Sequence, residues 1–347
     1  MSPGTVHTML LTQDGGVWST GVSSDLRKPG FLQVMPSGAA TVAAGPGYSV
    51  VVKQDGSVWT TSANSNGKLV FFDGSTTSRR TFSVVKTIRD ARTVAVGRYH
   101  SMVLTRQGRV WATGWNKYGQ LGDGSTKDRT FFIRLDPNEK KDVIVAIAAG
   151  DIHSIVLKQD GSVWAAGRNS NGQLGDGSNS DRKSFVEVMS SGAADVFAGG
   201  SHSMVLKQDS SVWATGYNAC GQLGDGTTTD RVKYAQVVSS GAKAIAAGRL
   251  HTMMLKQNGS VWTTGCNENG QLGAGWTNNS STFVQVIHDG ARVIAAGDFH
   301  SMVLKEDGSI WATGSNEEGQ FGDGTTVSKK TFVMLAPFSH GEKNMCM

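Results

Sequence analysis

Residue types able to do chemistry recur along this chain in matched positions instead of meeting once. Histidine stands eleven residues ahead of a tryptophan at His7, His100, His153, His202, His251 and His300, with Tyr48 in the equivalent place. Metal binding or proton transfer needs histidines grouped with one another and with carboxylates, and one per repeat in a single frame keeps them apart. They read as packing and hydrogen-bonding residues of the interior. Asp123, Asp176, Asp225 and Asp323 recur in a glycine-rich loop, but Ala274 replaces one of the series, and no acidic run completes the shell of about six to eight oxygens that calcium wants. Capping of the loop by its own side chains is the expected role. The loop Gly119-Gln120-Leu121-Gly122-Asp123-Gly124 lacks the Gly-Lys-Ser/Thr end and following helix of a phosphate cradle. No serine, cysteine or lysine nucleophile comes with a histidine and a carboxylate in one unique constellation, so the chain reads as a non-enzyme without cofactor or metal.

The elements that must hold these residues follow from the spacing of the tryptophans. Trp18, Trp59, Trp111, Trp164, Trp213, Trp262 and Trp311 lie 41, 52, 53, 49, 49 and 49 residues apart, which makes seven units. Within the last unit, Ile294-Ala295-Ala296-Gly297 and His300-Ser301-Met302-Val303-Leu304-Lys305 are apolar runs too short for helices. Asp307-Gly308 follows, matched at Asp14-Gly15, Asp55-Gly56, Asp160-Gly161 and Asn258-Gly259, and predicts a two-residue hairpin turn. Ser309 to Thr313 and Phe332 to Leu335 supply a third and a fourth strand. Four strands cannot bury both faces alone, but seven such sheets set radially can stack face on face. The expected fold is therefore all-β: a seven-bladed propeller of four antiparallel strands per blade, one domain over 1–337 with a tail at 338–347. Small Ala-Ala-Gly ends belong at the crowded axis, and the tryptophans belong further out as core. The first unit starts at Gly4, so its inner strand should be missing and closure imperfect. Blades one and two should be least regular: 22–30 is a cut-down loop, Ser62 replaces the glycine of Gly114, Gly167, Gly216, Gly265 and Gly314, and Asn64-Ser65-Asn66-Gly67-Lys68-Leu69-Val70 departs from the loop pattern.

Composition agrees. Glycine fills 45 of 347 positions, roughly twice the usual share of about 7%, with only 6 prolines, which excludes collagen and proline-rich disorder. A net charge of +5 without a run of five like charges permits nucleic acid without implying it. Three cysteines, Cys220, Cys266 and Cys346, lack metal-ligand spacing and are odd in number, which fits a reducing compartment and argues against a disulfide framework. The most continuous apolar stretch, 143–149, is far too short for a membrane helix, so an intracellular protein, cytoplasmic or nuclear, without membrane insertion is expected.

The string Gly-x-x-His-Ser-Met-Val-Leu-Lys-x-Asp-Gly-Ser-Val-Trp-Ala-Thr-Gly-x-Asn-x-x-Gly-Gln-Leu-Gly-Asp-Gly, nearly whole at 150–177 and 297–324, resembles the regulator-of-chromosome-condensation repeat. The resemblance spans about 4–335 and implies a seven-bladed propeller that works as a binding face. Family members include an exchange factor for the small GTPase Ran, a plant ultraviolet-B photoreceptor and a secreted β-lactamase inhibitor. The photoreceptor's Gly-Trp-Arg-His-Thr needs tryptophan two positions before the histidine, where this chain has Thr5, Pro46, Arg98, Asp151, Gly200, Arg249 and Asp298, so light sensing by that route is not expected. The exchange factor's projecting wedge finds no long insertion here.

In a repeat protein the informative residues are those that vary within the frame. Strand alternation puts the links from first to second and from third to fourth strand on one face, with the Asp-Gly hairpins on the other. On the first face, unit three offers Arg98, Tyr99, Trp115, Lys117 and Tyr118, a type of cluster enriched in binding hot spots. Units six and seven oppose it with Glu268, Asp298, Phe299, Glu317 and Glu318, a polarity suited to orienting a protein partner. A second feature is a ring of basic residues, Arg79, Arg80, Lys127, Arg129, Arg182, Lys183, Arg231, Lys233, Lys329 and Lys330, beside which Asp128, Asp181 and Asp230 sit; it reads as a solvated rim. The expected function is a non-catalytic protein-interaction module, an adaptor or accessory subunit. The alternatives are a guanine nucleotide exchange factor for a small GTPase, or chromatin or DNA docking through the basic rim.

Overall fold

Each repeat folds as one antiparallel sheet whose strands follow chain order. In the fourth repeat these strands are Ile144–Ala149, His153–Lys158, Val163–Gly167 and Arg182–Met189. The computed structural model describes residues 1–23, 26–62, 79–135 and 143–335. Over them the same order recurs in seven four-stranded sheets arranged as blades of a closed propeller. The first strand of a blade lies nearest the axis and carries small residues, as in Ala242–Ala247, AKAIAA. The second is buried on both faces, as β-branched and long apolar side chains between two neighbouring sheets must be, and His202–Lys207 is buried through Leu206.

Three local expectations need correction. The first blade keeps an inner strand, reduced to Ser2–Pro3, which pairs with His7–Leu11. The repeat motif begins at Gly4, so the strand ahead of it carried no signal. The segment expected as a cut-down loop instead extends a hairpin, Val17–Ser23 with Leu26–Met35, paired out to Ser23 opposite Leu26. The Asp-Gly turns are three-residue connections: Lys158 N donates to Ser162 O at 3.0 Å, and only Gly161 takes a positive φ, 82°. Asp160 instead turns its carboxylate onto Ser162 N at 2.9 Å. A type I turn closed by a left-handed glycine meets this geometry. The departing loop of the second repeat, 64–70, and the tail 338–347 lie outside the described residues.

The core lies between blades, not within them. Met102, Leu104 and Ala112 of blade three pack with Ile144 and Val156 of blade four, and the same mixture of two adjacent blades recurs in seven clusters. Closure is of the same kind: Leu10 of blade one packs with Met302, Leu304 and Phe321 of blade seven. The repeat tryptophans are half-buried on the flanks of these clusters, not central to them. Trp59, Trp164, Trp213, Trp262 and Trp311 reach outward instead: Trp164 Nε1 donates to Ser162 Oγ at 3.1 Å, and Lys158 Nζ lies 3.7 Å from the ring centroid. At the axis the blades approach so closely that only glycine fits. A Cβ on Gly150 would strike the His153 ring and lie 2.5 Å from the Gly199 carbonyl oxygen. Equivalent glycines continue round to Gly297, whose Cβ would lie 2.7 Å from Gly4 O.

Candidate functional site

The repeat histidines form a circle of hydrogen bonds that crosses every seam between blades. His7 Nε2 meets Ser49 Oγ at 2.9 Å, His100 meets Ser154 at 2.8 Å, His153 meets Ser203 at 2.9 Å, and His202 meets Thr252 at 3.0 Å. His251 with Ser301 at 2.9 Å and His300 with Thr8 at 3.1 Å complete it across the closing seam. In blade two Tyr48 takes the histidine's place, meeting Ser101 at 3.1 Å. The hydroxyls of Ser154, Ser203, Thr252 and Ser301 donate their single hydrogen to the backbone carbonyls of Gln120, Gln173, Gln222 and Gln271. The facing imidazoles must therefore supply the hydrogen from Nε2, which leaves Nδ1 as a buried acceptor. Burial lowers the histidine pKa values to about 4 at His7, His100 and His202 and to about 3 at His153, His251 and His300. Neutral and enclosed, one at each of six seams with Tyr48 at the seventh, they hold the ring together.

The glycine-rich loops act at the same seams. Leu121, Leu174, Leu223, Leu272 and Phe321 are fully buried plugs. Each is aimed by a buried asparagine that the sequence reading did not single out: Asn116 Oδ1 accepts Leu121 N at 2.9 Å, and its Nδ2 donates to Asp123, Ser125 and Lys127. The aspartates cap their own loops, Asp176 Oδ1 accepting from Ser178 N at 2.9 Å and Oγ at 2.8 Å. They also bind the rim arginines: Arg129 Nε to Asp123 at 2.8 Å, Arg182 Nε to Asp176 at 2.7 Å, and Arg231 to Asp225. Burial opposes charge on Asp123 and Asp176, yet these arginine and serine hydrogen bonds outweigh it and keep both pKa values low. The carboxylates adjacent in sequence do something else, Asp128, Asp181 and Asp230 each accepting the backbone N–H of an asparagine. The pairing partner lies six residues upstream because the loop doubles back. Lys127, Lys183, Lys233 and Lys330 stay exposed, Lys329 is half-buried, and the side chains of Arg79 and Arg80 lie outside the described residues. Among the described residues no group of three or more histidines, cysteines, aspartates or glutamates could hold a metal, and no helix is long and apolar enough to cross a membrane.

The cysteines also differ from expectation. Cys220 of blade five and Cys266 of blade six are joined as a disulfide. Their 46-residue separation hides a juxtaposition that the repeat frame creates. Cys346 lies outside the described residues.

On the loop face the structure brings together the residues of unit three. Trp115 stands between Tyr99, 5.3 Å away at 71°, and Tyr118, 5.5 Å away at 83°, both in edge-to-face contact. Cations border the rings: Arg98 lies 5.7 Å from Tyr99, and Lys117 5.8 Å from Tyr118. Arg168 of blade four, absent from the sequence-based set, lies closer to Tyr118, at 5.3 Å. Its signal was its place in the frame, the position of Trp115 one blade on. The expected opposition of charges is altered at the axis, where Arg98 Nη1 reaches across to Asp298 and to Asp151, each at 3.9 Å, and Arg249 approaches Asp151 at 3.7 Å. Thr5 Oγ1 donates to Asp298 at 2.8 Å. Burial, then the charge of Asp298, raises the pKa of Asp151 despite both arginines. Burial disfavours charge on Arg98, but Asp151, Tyr99 and Asp298 outweigh it and raise its pKa. These four charged groups line a mouth of about 100 Å³ together with Thr5, Pro46 and Gly200. Away from the axis Lys117 on blade three and Glu268, Glu317 and Glu318 on blades six and seven are exposed, while Phe299 is half-buried with Arg249 5.7 Å from its ring.

Comparison with known proteins gives one family. A family model described as the RCC1-like domain matches residues 38–345. Human Protein RCC2 is 42% identical over 94 residues, 27% of this chain and 18% of that protein. The Ultraviolet-B receptor UVR8 of Arabidopsis thaliana is 34% identical over 100 residues, 28% of this chain and 22% of the receptor. The matched stretch thus spans less than a quarter of these relatives' length. Among solved structures, human WBSCR16 superposes with a TM-score of 0.77 at 21% identity, covering 89% of this chain and 85% of that one. Prp20p from Saccharomyces cerevisiae, described with its binding to Gsp1p and histones, gives 0.80 at 18% identity over 95% of this chain and 88% of its own.

Proposed function

The chain belongs to the RCC1-like domain family, and from that premise we propose that it is a non-catalytic interaction module holding a protein partner on its loop face. The observation that carries the reading is the half-buried Tyr99–Trp115–Tyr118 cluster bordered by Arg98, Lys117 and Arg168. Aromatic rings locked against one another lose little freedom on binding, and the cations lend them directional contacts, which is the composition of interface hot spots. Glu268, Glu317 and Glu318 on the same face supply the opposite charge that would set a partner's orientation. Uniform repeats serve as the scaffold, and the departures from uniformity confer recognition.

The test is capture of partners from native extract by the full chain. Comparison is made with a Tyr99→Ala/Trp115→Ala variant and with Gln208→Ala, an exposed position on the opposite, hairpin face. The double variant should lose partners that Gln208→Ala retains, with thermal unfolding little changed. Equal capture by all three proteins sinks the reading. Guanine nucleotide exchange on a small GTPase is the second reading, favoured by the likeness to Prp20p and its described binding to Gsp1p. Nucleotide-release kinetics with candidate GTPases separate the two, because an adaptor leaves release rates unchanged.

A further inference from the structure

We propose that Cys220 and Cys266 form a thiol–disulfide exchange site across the seam between blades five and six, open to low-molecular-weight disulfides of the glutathione type. Three observations carry it. First, the repeat builds the juxtaposition whether or not the bond exists. Cys220 N donates to Gln222 Oε1 at 3.1 Å, as Tyr118, Asn171, Asn269 and Glu318 donate to their own glutamines. Cys266 N donates to Leu250 O at 2.9 Å, as Trp115, Arg168, Tyr217 and Ser315 do to the matching carbonyls. Two seams earlier the same pair of positions brings Tyr118 against Arg168. The Cα atoms of the two cysteines are 4.9 Å apart, within the span a disulfide needs.

Second, the seam has its full set of non-covalent ties without the bond. His202 meets Thr252 at 3.0 Å, Thr264 Oγ1 donates to Gly221 O at 2.8 Å, Gly226 N donates to Ser281 O at 2.8 Å, and Leu223 is wholly buried. Reduction therefore leaves two thiols side by side in a folded protein. Third, access is unequal: Cys220 is half-buried whereas Cys266 is 6% exposed. The Cys220 thiolate attacks one sulfur of the reagent, forming a mixed disulfide while the reagent's S–S bond breaks and the departing thiolate takes up a proton. The Cys266 thiolate then attacks the Cys220 sulfur and expels the second thiolate, which is protonated in turn. Two protein thiols are oxidised, and one small disulfide is reduced to two thiols. The clip lies on the loop face two residues from Glu268, so oxidation fixes blade six's acidic loop to blade five. The proposal stands apart from the partner reading and shares no readout with it.

The experiment uses the full chain with Cys346→Ser, equilibrated in glutathione buffers of graded ratio, quenched by alkylation and mapped by mass spectrometry. A Cys220–Cys266 linked peptide should appear in one two-electron transition and vanish in excess glutathione. The circular-dichroism spectrum should match at both ends, and Tm should be several degrees higher in the oxidised protein. In Cys266→Ser, Cys220 should gain a single glutathione. In Cys220→Ser, Cys266 should stay unmodified until the protein unfolds. Absence of the linked peptide from folded protein at the most oxidising ratio overturns the proposal, as does loss of the native spectrum on reduction. The titration of the parent decides even if a serine variant fails to fold.

Discussion

Tyr48 does with one phenol what histidine does in the other six blades. Its hydroxyl lies 2.9 Å from Gly97 O, 3.2 Å from His100 O and 3.1 Å from Ser101 Oγ, wholly within the seam to blade three. Burial raises its pKa, so it remains a neutral donor throughout the ordinary pH range. Tyr48→Phe keeps the ring that fills the space beside Gly45 but leaves carbonyl and hydroxyl oxygens without that donor. Stranding a buried polar group costs about 1–3 kcal/mol, and urea unfolding of the variant should show a loss in that range with an unchanged m-value. A neutral result would mean that water replaces the phenol. The circle is then plastic at blade two.

The strands were the most legible elements, because four short apolar runs and a left-handed turn recur at fixed offsets and each occurrence supports the others. His300–Lys305 falls on the expected residues, while Lys329–Met334 starts three residues early and Ile310–Gly314 runs through the glycine. That glycine takes φ 101°, and any Cβ there would lie 2.4–2.7 Å from Phe299 and His300 backbone atoms. Turn length was not legible, since Asp-Gly serves two- and three-residue connections alike and only the register separates them. The turns also expose a misfit. Ser210 stands where the other blades have glycine and is held at φ 64°, the one non-glycine residue with positive φ among those described. A left-handed L-residue costs about 1–2 kcal/mol, against which glycine's greater freedom in the unfolded chain counts for about 0.5–1 kcal/mol. Ser210→Gly should therefore stabilise the protein by about 0.5–1 kcal/mol, seen as a higher urea midpoint at constant m, even though the exposed Gln257–Ser210 hydrogen bond is lost. A lower midpoint would show that this bond, and not the backbone, governs the turn.

At the scale of the whole molecule, blade number follows from seven equally framed repeats, whereas closure, expected to be imperfect, is completed by the short strand Ser2–Pro3 and by Leu10 packing on blade seven. Contacts across seams do not follow from the repeats, because they join residues some fifty positions apart whose address is their place in the frame. Arg168 on Tyr118 and Cys220 with Cys266 are of this kind, and Arg98 with Asp298 joins blades three and seven across the axis. The same seams give the molecule a collective property. Six histidines, one in each of six blades, titrate at about 3 to 4 when folded and near 6.5 when the chain is unfolded. As pH falls from about 6.5 toward 4, the unfolded state binds protons that the native state refuses, so stability declines through this window and the slope fades below the folded values. Each histidine contributes at most about 1.4 kcal/mol per pH unit, and six acting together reach about 8 kcal/mol per pH unit, comparable to the whole stability of an ordinary domain. The paired aspartates Asp123, Asp176 and Asp225, whose folded pKa values are lowered, extend the decline below their unfolded value near pH 4. The propeller should accordingly unfold in one steep acid transition between pH 6 and 4, without denaturant or with little urea, taking up several protons per molecule. Potentiometric titration alongside far-ultraviolet circular dichroism checks both counts. A stability unchanged between pH 6.5 and 5 would mean that the imidazoles find a proton-accepting partner at Nδ1 when the ring is acidified.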